Sequence, residues 1–259
     1  MSAISIENVA FAYDSEPVLQ DLSVNIASGD FVCILGESGC GKSTLLRILA
    51  GLSRPTQGRI LIGDREITGA GMDRGVVFQD YSLFPWLTNG KNIVLALKGR
   101  FPEKTENELK KIVYEGFVNV GLEASVFDKY PFELSGGMRQ RCAICRAFAL
   151  DPPVLLMDEP FGALDAITRV KLQRLILSLW QKDESNRKTI IFVTHDVDEA
   201  LLLANKILLF GSSPSGIIYT HSFAKDSKPP LDDMFEDHSI LALRNELIRN
   251  LNKDIMKRV

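Results

Sequence analysis

No apolar run in this 259-residue chain approaches the roughly 18–20 residues needed to cross a bilayer. The richest stretch, residues 200–210, is interrupted by Asn205 and Lys206, so the chain is expected not to span a membrane. The opening residues, 1–8, begin an alternating strand-like pattern and lack the charged-then-apolar layout of a secretory signal, which points to the cytoplasm. Cysteine is scarce: Cys33, Cys40, Cys142 and Cys145 form no disulfide framework and fit a reducing compartment. Positive charge is not in excess either. A net charge of -3 and a pI near 5.7 leave no global basic field, which argues against nucleic acid as a main partner. Internal repeats and low-complexity segments are also missing. What remains is 46% apolar side chains, enough to bury a large core in one large domain or two interlocked ones.

The strongest positive signal is Gly36-Glu37-Ser38-Gly39-Cys40-Gly41-Lys42-Ser43-Thr44, set between an apolar run at 31–35 and a helix-like run at 45–52. A nucleoside triphosphate crowds several negative charges together, and glycines let backbone N–H groups approach them without side chains in the way. The helix start adds donors and the positive end of a dipole. Lys42 is placed to reach the β- and γ-phosphates as a point charge, and the Ser43 hydroxyl can join the shell of a Mg²⁺ bridging them. ATP and Mg²⁺ are the expected cofactors. Cys40, beside Lys42 and near a helix start, is expected to favour its thiolate, so that alkylation there blocks nucleotide binding and ATP protects. Cys142 and Cys145 are formally a C-x-x-C, but without two further ligands nearby or a preceding strand they read as helix packing.

Residues 4–12, 22–26, 31–35 and 59–63 read as strands separated by Gly and Asp turns, and 75–79 as a further buried strand. The apolar spacing then becomes helical at 92–97, 106–120 and 139–150, a helical insert. Short apolar runs at 154–157 and 189–193 suit central parallel strands, separated by an amphipathic helix at about 166–181. Residues 223–236 turn polar and proline-bearing, with Lys228-Pro229-Pro230. Ile240, Leu243, Leu247, Leu251 and Ile255 then mark one face of a last helix, expected to dock on the body because it is too short to bury a core of its own.

Residues 154–157 run into Asp158 and Glu159, which puts both carboxylates at the carboxyl edge of a parallel sheet, where ligands of such sheets bind. An isolated Asp-Glu pair is a solvated turn. Downstream of a phosphate loop, Asp158 can hold Mg²⁺ through water and Glu159 can orient or deprotonate the water that attacks the γ-phosphate. His195 follows another strand to the same edge, where its imidazole could touch the γ-phosphate or hold that water. Gln79 is read as ending a strand and opening the insert, so it could sense metal or water and pass that state on. Ser135, Gly136 and Gly137 open a helix and form a second anion-binding geometry in the same chain.

Together these residues resemble the ATP-binding subunits of ABC transporters, over about 4–210 and in the expected order. Tyr13 resembles the aromatic that stacks on adenine; residues 36–44 resemble the Walker A loop, Gln79 the Q-loop, 134–140 the signature sequence and 154–159 the Walker B strand. Ala163-Leu164-Asp165 is similar to the D-loop and His195 to the switch histidine. The resemblance implies an α/β P-loop NTPase fold: a RecA-like parallel-sheet core, an N-terminal antiparallel β subdomain and an inserted α-helical subdomain at about 82–150. The ATPase domain would run over 1–221, with a linker and helix at 222–259. It also implies a head-to-tail pair in which Ser135, Gly136 and Gly137 serve the partner's nucleotide, in a homodimer or with a paired ATPase subunit. Such a pair drives membrane permease subunits from the cytoplasmic face of the membrane.

A narrower resemblance, to importer subunits of the nitrate, sulfonate and taurine group, rests on Phe78-Gln79-Asp80-Tyr81-Ser82-Leu83-Phe84-Pro85-Trp86-Leu87-Thr88 and on 161–166. It implies a substrate-binding protein as an indirect partner, and a chain expected to be without the long C-terminal regulatory β-domain of maltose-type importers. Phe84, Pro85 and Trp86 would dock the permease's coupling helix, or Trp86 would pack in the core. A soluble ABC-type ATPase acting on DNA or ribosomes, an exporter subunit and a nucleotide-gated module without turnover are the other readings. The first would be expected to carry two cassettes or a long coiled-coil insert, and Lys42, Glu159 and His195 argue against the last.

Overall fold

A computed structural model describes residues 3–162, 164–181, 187–224, 228–229 and 233–256, with the side chain of Ile255 outside that set. Ala163 of the expected D-loop and Pro230 of the linker also lie outside it. The chain forms two compact units, residues 1–71 with 186–259, and residues 72–185.

In the first unit β1 (Ile4–Tyr13) and β2 (Glu16–Ile26) make an antiparallel hairpin that turns through Asp14. With β4 (Gln57–Ile62) and β5 (Arg65–Glu66) they form a sheet in the order β2-β1-β4-β5. Ile4, Ile6, Val9 and Phe11 point inward, and the register shift between Ile6 and Val9 falls at Asn8, whose φ is 48°. β2 begins well before the expected residue 22. Its first half carries Pro17, Gln20 and Asp21, which an edge strand tolerates and an apolar count overlooks.

The second sheet of this unit runs β10-β9-β3-β8, from β3 (Phe31–Leu35), β8 (Thr189–Thr194), β9 (Lys206–Phe210) and β10 (Ile217–Ser222). β3 is parallel to β8 and β9, and every residue of β3 and β8 is buried, as expected of central strands covered on both faces. Helices α1 (Lys42–Leu49), α6 (Val197–Leu203) and α7 (His238–Met256) complete the unit. The apolar stretch at 200–210 is therefore two elements. Asn205 breaks it: its backbone N–H donates to the Phe31 carbonyl at 2.9 Å, its Oδ1 accepts from the Phe31 N–H at 2.7 Å, and its amide donates to Asp30. The last helix docks as expected, with Ile240, Leu243 and Leu247 buried.

In the second unit β6 (Arg74–Val77) and β7 (Val154–Asp158) pair in parallel. Among the described residues the α-helices α2 (Asn89–Arg100), α3 (Glu106–Asn119), α4 (Gly136–Ala149) and α5 (Ala166–Gln181) accompany them. α3 starts on a capping box, Thr105 with Glu108, and its buried Leu109, Val113 and Phe117 form one helical stripe. α2 is longer than its apolar spacing suggests because Thr88 caps it, accepting from the Lys91 N–H at 3.4 Å. Cys142 and Cys145 lie inside α4, fully buried, and burial pushes the Cys142 thiol up to about 12 and the Cys145 thiol higher still. They are packing residues.

Candidate functional site

The first unit holds the phosphate loop, which leaves β3 at Gly36 and enters α1 at Lys42. Gly39 and Gly41 have φ of 81° and 96°, the left-handed region that suits glycine. A Cβ on Gly41 would come within 2.8 Å of Leu19 Cδ2, whereas one on Gly39 would meet nothing within 4 Å. The loop is thus packed on its inner side and open on its outer side, with Glu37, Ser38 and Gly39 exposed. α1 has no side-chain cap, which suits an anion at its first-turn amides. Lys42 is buried, and its ammonium donates to the carbonyls of Gly36 at 2.9 Å and Glu37 at 2.6 Å. Ser43 is exposed in the first helical turn and Thr44 is buried. An open loop of left-handed glycines, a lysine and a first-turn hydroxyl match the chemistry of a triphosphate carrying a hard, oxygen-seeking cation.

Cys40 departs from expectation. Its side chain is 3% exposed, and burial, outweighing nearby Lys42, raises its thiol. The thiolate is disfavoured and alkylation is obstructed, because desolvating an anion outweighs proximity to one cation.

Tyr13 ends β1 half-exposed, held edge-on to Phe11 with ring centroids 4.8 Å apart. His195 follows β8 and is exposed at the entry to α6. Its flanks are tightly bonded. The Thr194 hydroxyl donates to Glu199 Oε2 at 2.6 Å and accepts from the Asp196 N–H at 3.0 Å, and Asp196 caps α6 through the N–H groups of Asp198 and Glu199.

In the second unit Asp158 is the last residue of β7, at 9% exposure, and Glu159 follows with φ of 42°. A non-glycine residue in that region signals a backbone held against its preference, which is common at reactive positions. The Gly162 N–H donates to the Glu159 carbonyl at 3.2 Å and closes the turn. Asp165 caps α5, and the Thr168 N–H on its carboxylate holds it below the usual carboxylate range.

Gln79 is not in a strand. β6 ends at Val77, and Gln79 is exposed in the turn beyond. That turn continues through Tyr81 and Ser82, both at positive φ, and two arginines of α4 hold it. Arg146 donates to the Ser82 carbonyl at 2.5 Å and the Tyr81 carbonyl at 3.2 Å, and the Arg139 guanidinium lies 5.4 Å from the Tyr81 ring centroid. Neither arginine stands out in the sequence; the one signal is a cation amid the buried residues of α4. Trp86 is 70% exposed, against the core-packing alternative, and stacks loosely on exposed Phe84 with centroids 5.1 Å apart. Buried Asn92 braces that loop, accepting from the Phe84 N–H and donating to the carbonyls of Phe84, Leu87 and Thr88. Ser135 is the N-cap of α4, accepting from the Met138 N–H at 3.3 Å, so the helix starts at Gly136, earlier than its apolar spacing marks. Gly136 and Gly137 form a partly exposed first turn, bare of side chains.

The ABC transporter domain family matches residues 19–162. The bicarbonate transport ATP-binding protein CmpD of Synechocystis sp. is 42% identical over 249 residues, covering 93% of this chain and 86% of that protein. The nitrate import ATP-binding protein NrtD of Synechococcus elongatus is 44% identical over 200 residues, 77% of this chain and 72% of that protein. Among solved structures, the dimeric ATP-binding cassette MJ0796, in a post-hydrolysis state bound to ADP and Pi, is 31% identical with a TM-score of 0.76, covering 85% of this chain and 99% of that one. The P-loop NTPase fold expected from the sequence is the fold observed. With over half its length matched by one domain family, and with these relatives along most of the rest, the chain belongs to the ABC transporter family as an ATP-binding subunit.

Proposed function

We propose that this chain hydrolyses MgATP to drive uptake of a solute of the nitrate, sulfonate and taurine type through a separate membrane permease, working in a head-to-tail pair of ATPase subunits. The observation that carries it is the phosphate loop, left-handed at Gly39 and Gly41 and holding Lys42 over its own carbonyls. In this reading the loop amides of 36–44 take the phosphates, and the Lys42 ammonium exchanges the Gly36 and Glu37 carbonyls for phosphate oxygens. Tyr13 stacks on the adenine. Ser43, Asp158 and Gln79 hold Mg²⁺, which when bound neutralises charge on the phosphates. Glu159 orients or deprotonates the attacking water, and His195 touches the γ-phosphate or positions that water. Ser135, Gly136 and Gly137 close on the partner's nucleotide.

The transported solute belongs to the class that includes nitrate, sulfonate, taurine and bicarbonate, following the sequence resemblance and the printed functions of the relatives. Among the described residues no helix is long and apolar enough to cross a membrane, which fits a subunit held at the cytoplasmic face by a permease. A substrate-binding protein feeds that permease. Exposed Phe84 and Trp86, fixed by Asn92, are suited to a permease helix. We take 1–221 as the ATPase domain and 222–259 as its linker and final helix. The test is phosphate release from ATP by the purified chain, alone and with its permease and substrate-binding protein in vesicles. Mg²⁺-dependent turnover that rises with solute is expected, and none in either setting would overturn the proposal.

A further inference from the structure

α6 is only seven residues long, too short to be stable by itself, so contacts must fix where it sits. It carries His195 at its entry. Ala200, Leu201 and Leu203 bury one face, and the carboxyl-terminal segment grips both ends. At the far end the Lys228 amine donates to the carbonyls of Leu202 at 2.8 Å and Ala204 at 2.9 Å, filling acceptors that the last turn of the helix leaves open. In the first turn, Arg244 of α7 forks onto Asp198, Nε to Oδ1 at 2.6 Å and Nη2 to Oδ2 at 3.2 Å. Asp196, the N-cap next to His195, also faces the Arg244 charge. The inner side of the same turn is closed by the Thr194–Glu199 bond.

We propose that the carboxyl-terminal segment is a positioning device for His195: Arg244 on Asp198 and Lys228 on the last carbonyls of α6 together set the helix into which His195 leads, one residue before its N-cap Asp196. The fork fixes direction as well as distance, and that is what a two-point contact supplies and a point charge does not. Its stabilising effect is small, because both partners are substantially exposed, 38% and 45%. Positioning and stability can therefore be separated by experiment. Arg244 and Lys228 are positioning residues, and neither is assigned contact with nucleotide.

The assignment rests on His195 serving the γ-phosphate, so the test reads His195 directly as well as turnover. The His195 ring resonance in the full-length chain is identified by its loss in His195→Gln, then followed in Arg244→Ala, Arg244→Lys, Lys228→Met and the exchange Asp198→Arg with Arg244→Asp. In Arg244→Ala the resonance is expected to shift or broaden. In the same variant kcat should fall roughly 10-fold while the KM for ATP stays within about two-fold, since misplacing a reacting group affects turnover more than binding. Tm should move by no more than about 3 °C. Arg244→Lys and the charge exchange should recover part of the resonance position and of kcat. Wild-type resonance and kcat in both Arg244→Ala and Lys228→Met would overturn the proposal. If Arg244→Ala unfolds, Arg244→Lys and Lys228→Met decide it on the same readouts. Absent turnover in the wild type would count against the ATPase reading alone, since the resonance still reports whether the segment positions His195.

Discussion

The Lys42 ammonium donates to the carbonyl of Gly36, the residue at which its own loop begins, at 2.9 Å. With the second bond to Glu37 it spans the loop from the inside, so the cation proposed to bind phosphate also braces the cradle. A buried ammonium must have acceptors, and in this loop backbone carbonyls supply them.

Lys42→Ala should therefore weaken MgATP binding by about 10²-fold, the effect of losing a charge-assisted contact of about 2–3 kcal/mol. Amide exchange at 36–41 should also speed up. Titration calorimetry and hydrogen exchange check both; wild-type affinity would remove Lys42 from phosphate binding.

Glu159→Gln should keep ATP affinity within a few-fold and lower turnover by about 10²-fold or more, because water activation is lost while the charge clamp stays. Single-turnover phosphate release is the measurement. Near-normal hydrolysis would assign the base elsewhere.

Cys40 should react slowly with a charged thiol reagent at pH 8, with or without ATP, and at an ordinary rate once the chain is unfolded. Its burial beneath the loop and its raised thiol set that outcome. Rapid modification of the folded chain, abolished by ATP, would restore the expectation drawn from sequence.

Lys228 gives a signed pH dependence. Burial pushes its amine down to about 7 from an ordinary value of 10.5. Between those values the unfolded chain holds a proton that the folded chain lacks, so stability grows as pH rises above about 7, by up to about 1.4 kcal/mol per pH unit. The contribution is complete only above the unfolded value and fades as pH falls through 7. The thiol of Cys142, raised to about 12 from 9.0, acts oppositely and only once pH approaches 9. Urea unfolding from pH 6.5 to 8.5 should therefore show a gain in wild type that Lys228→Met lacks; parallel profiles would contradict it.

Much of this was legible from residues alone, for identifiable reasons. β3, β8 and β7 announce themselves as short runs with apolar centres, because strands covered on both faces need little else. The phosphate loop is legible because few residue types tolerate its backbone, and Gly39 and Gly41 fall where φ is positive. α6 and β9 were hidden in one apolar stretch, since hydrophobicity does not mark where Asn205 turns the chain. Cys40 was misjudged because sequence shows a neighbouring cation and not the desolvation that outweighs it. Arg146 on Ser82, Arg244 on Asp198 and Lys228 on Leu202 were invisible for a simpler reason: their partners lie 64, 46 and 26 residues away.

The central claim is that two copies of this ATPase enclose MgATP, each presenting the Ser135-Gly136-Gly137 helix start to the nucleotide held by the other. Light scattering of Glu159→Gln saturated with MgATP tests it most directly. A dimer that returns to monomer when Lys42→Ala is added is the expected result. A mass that stays monomeric at saturating MgATP, with the permease present as well as without it, would contradict it.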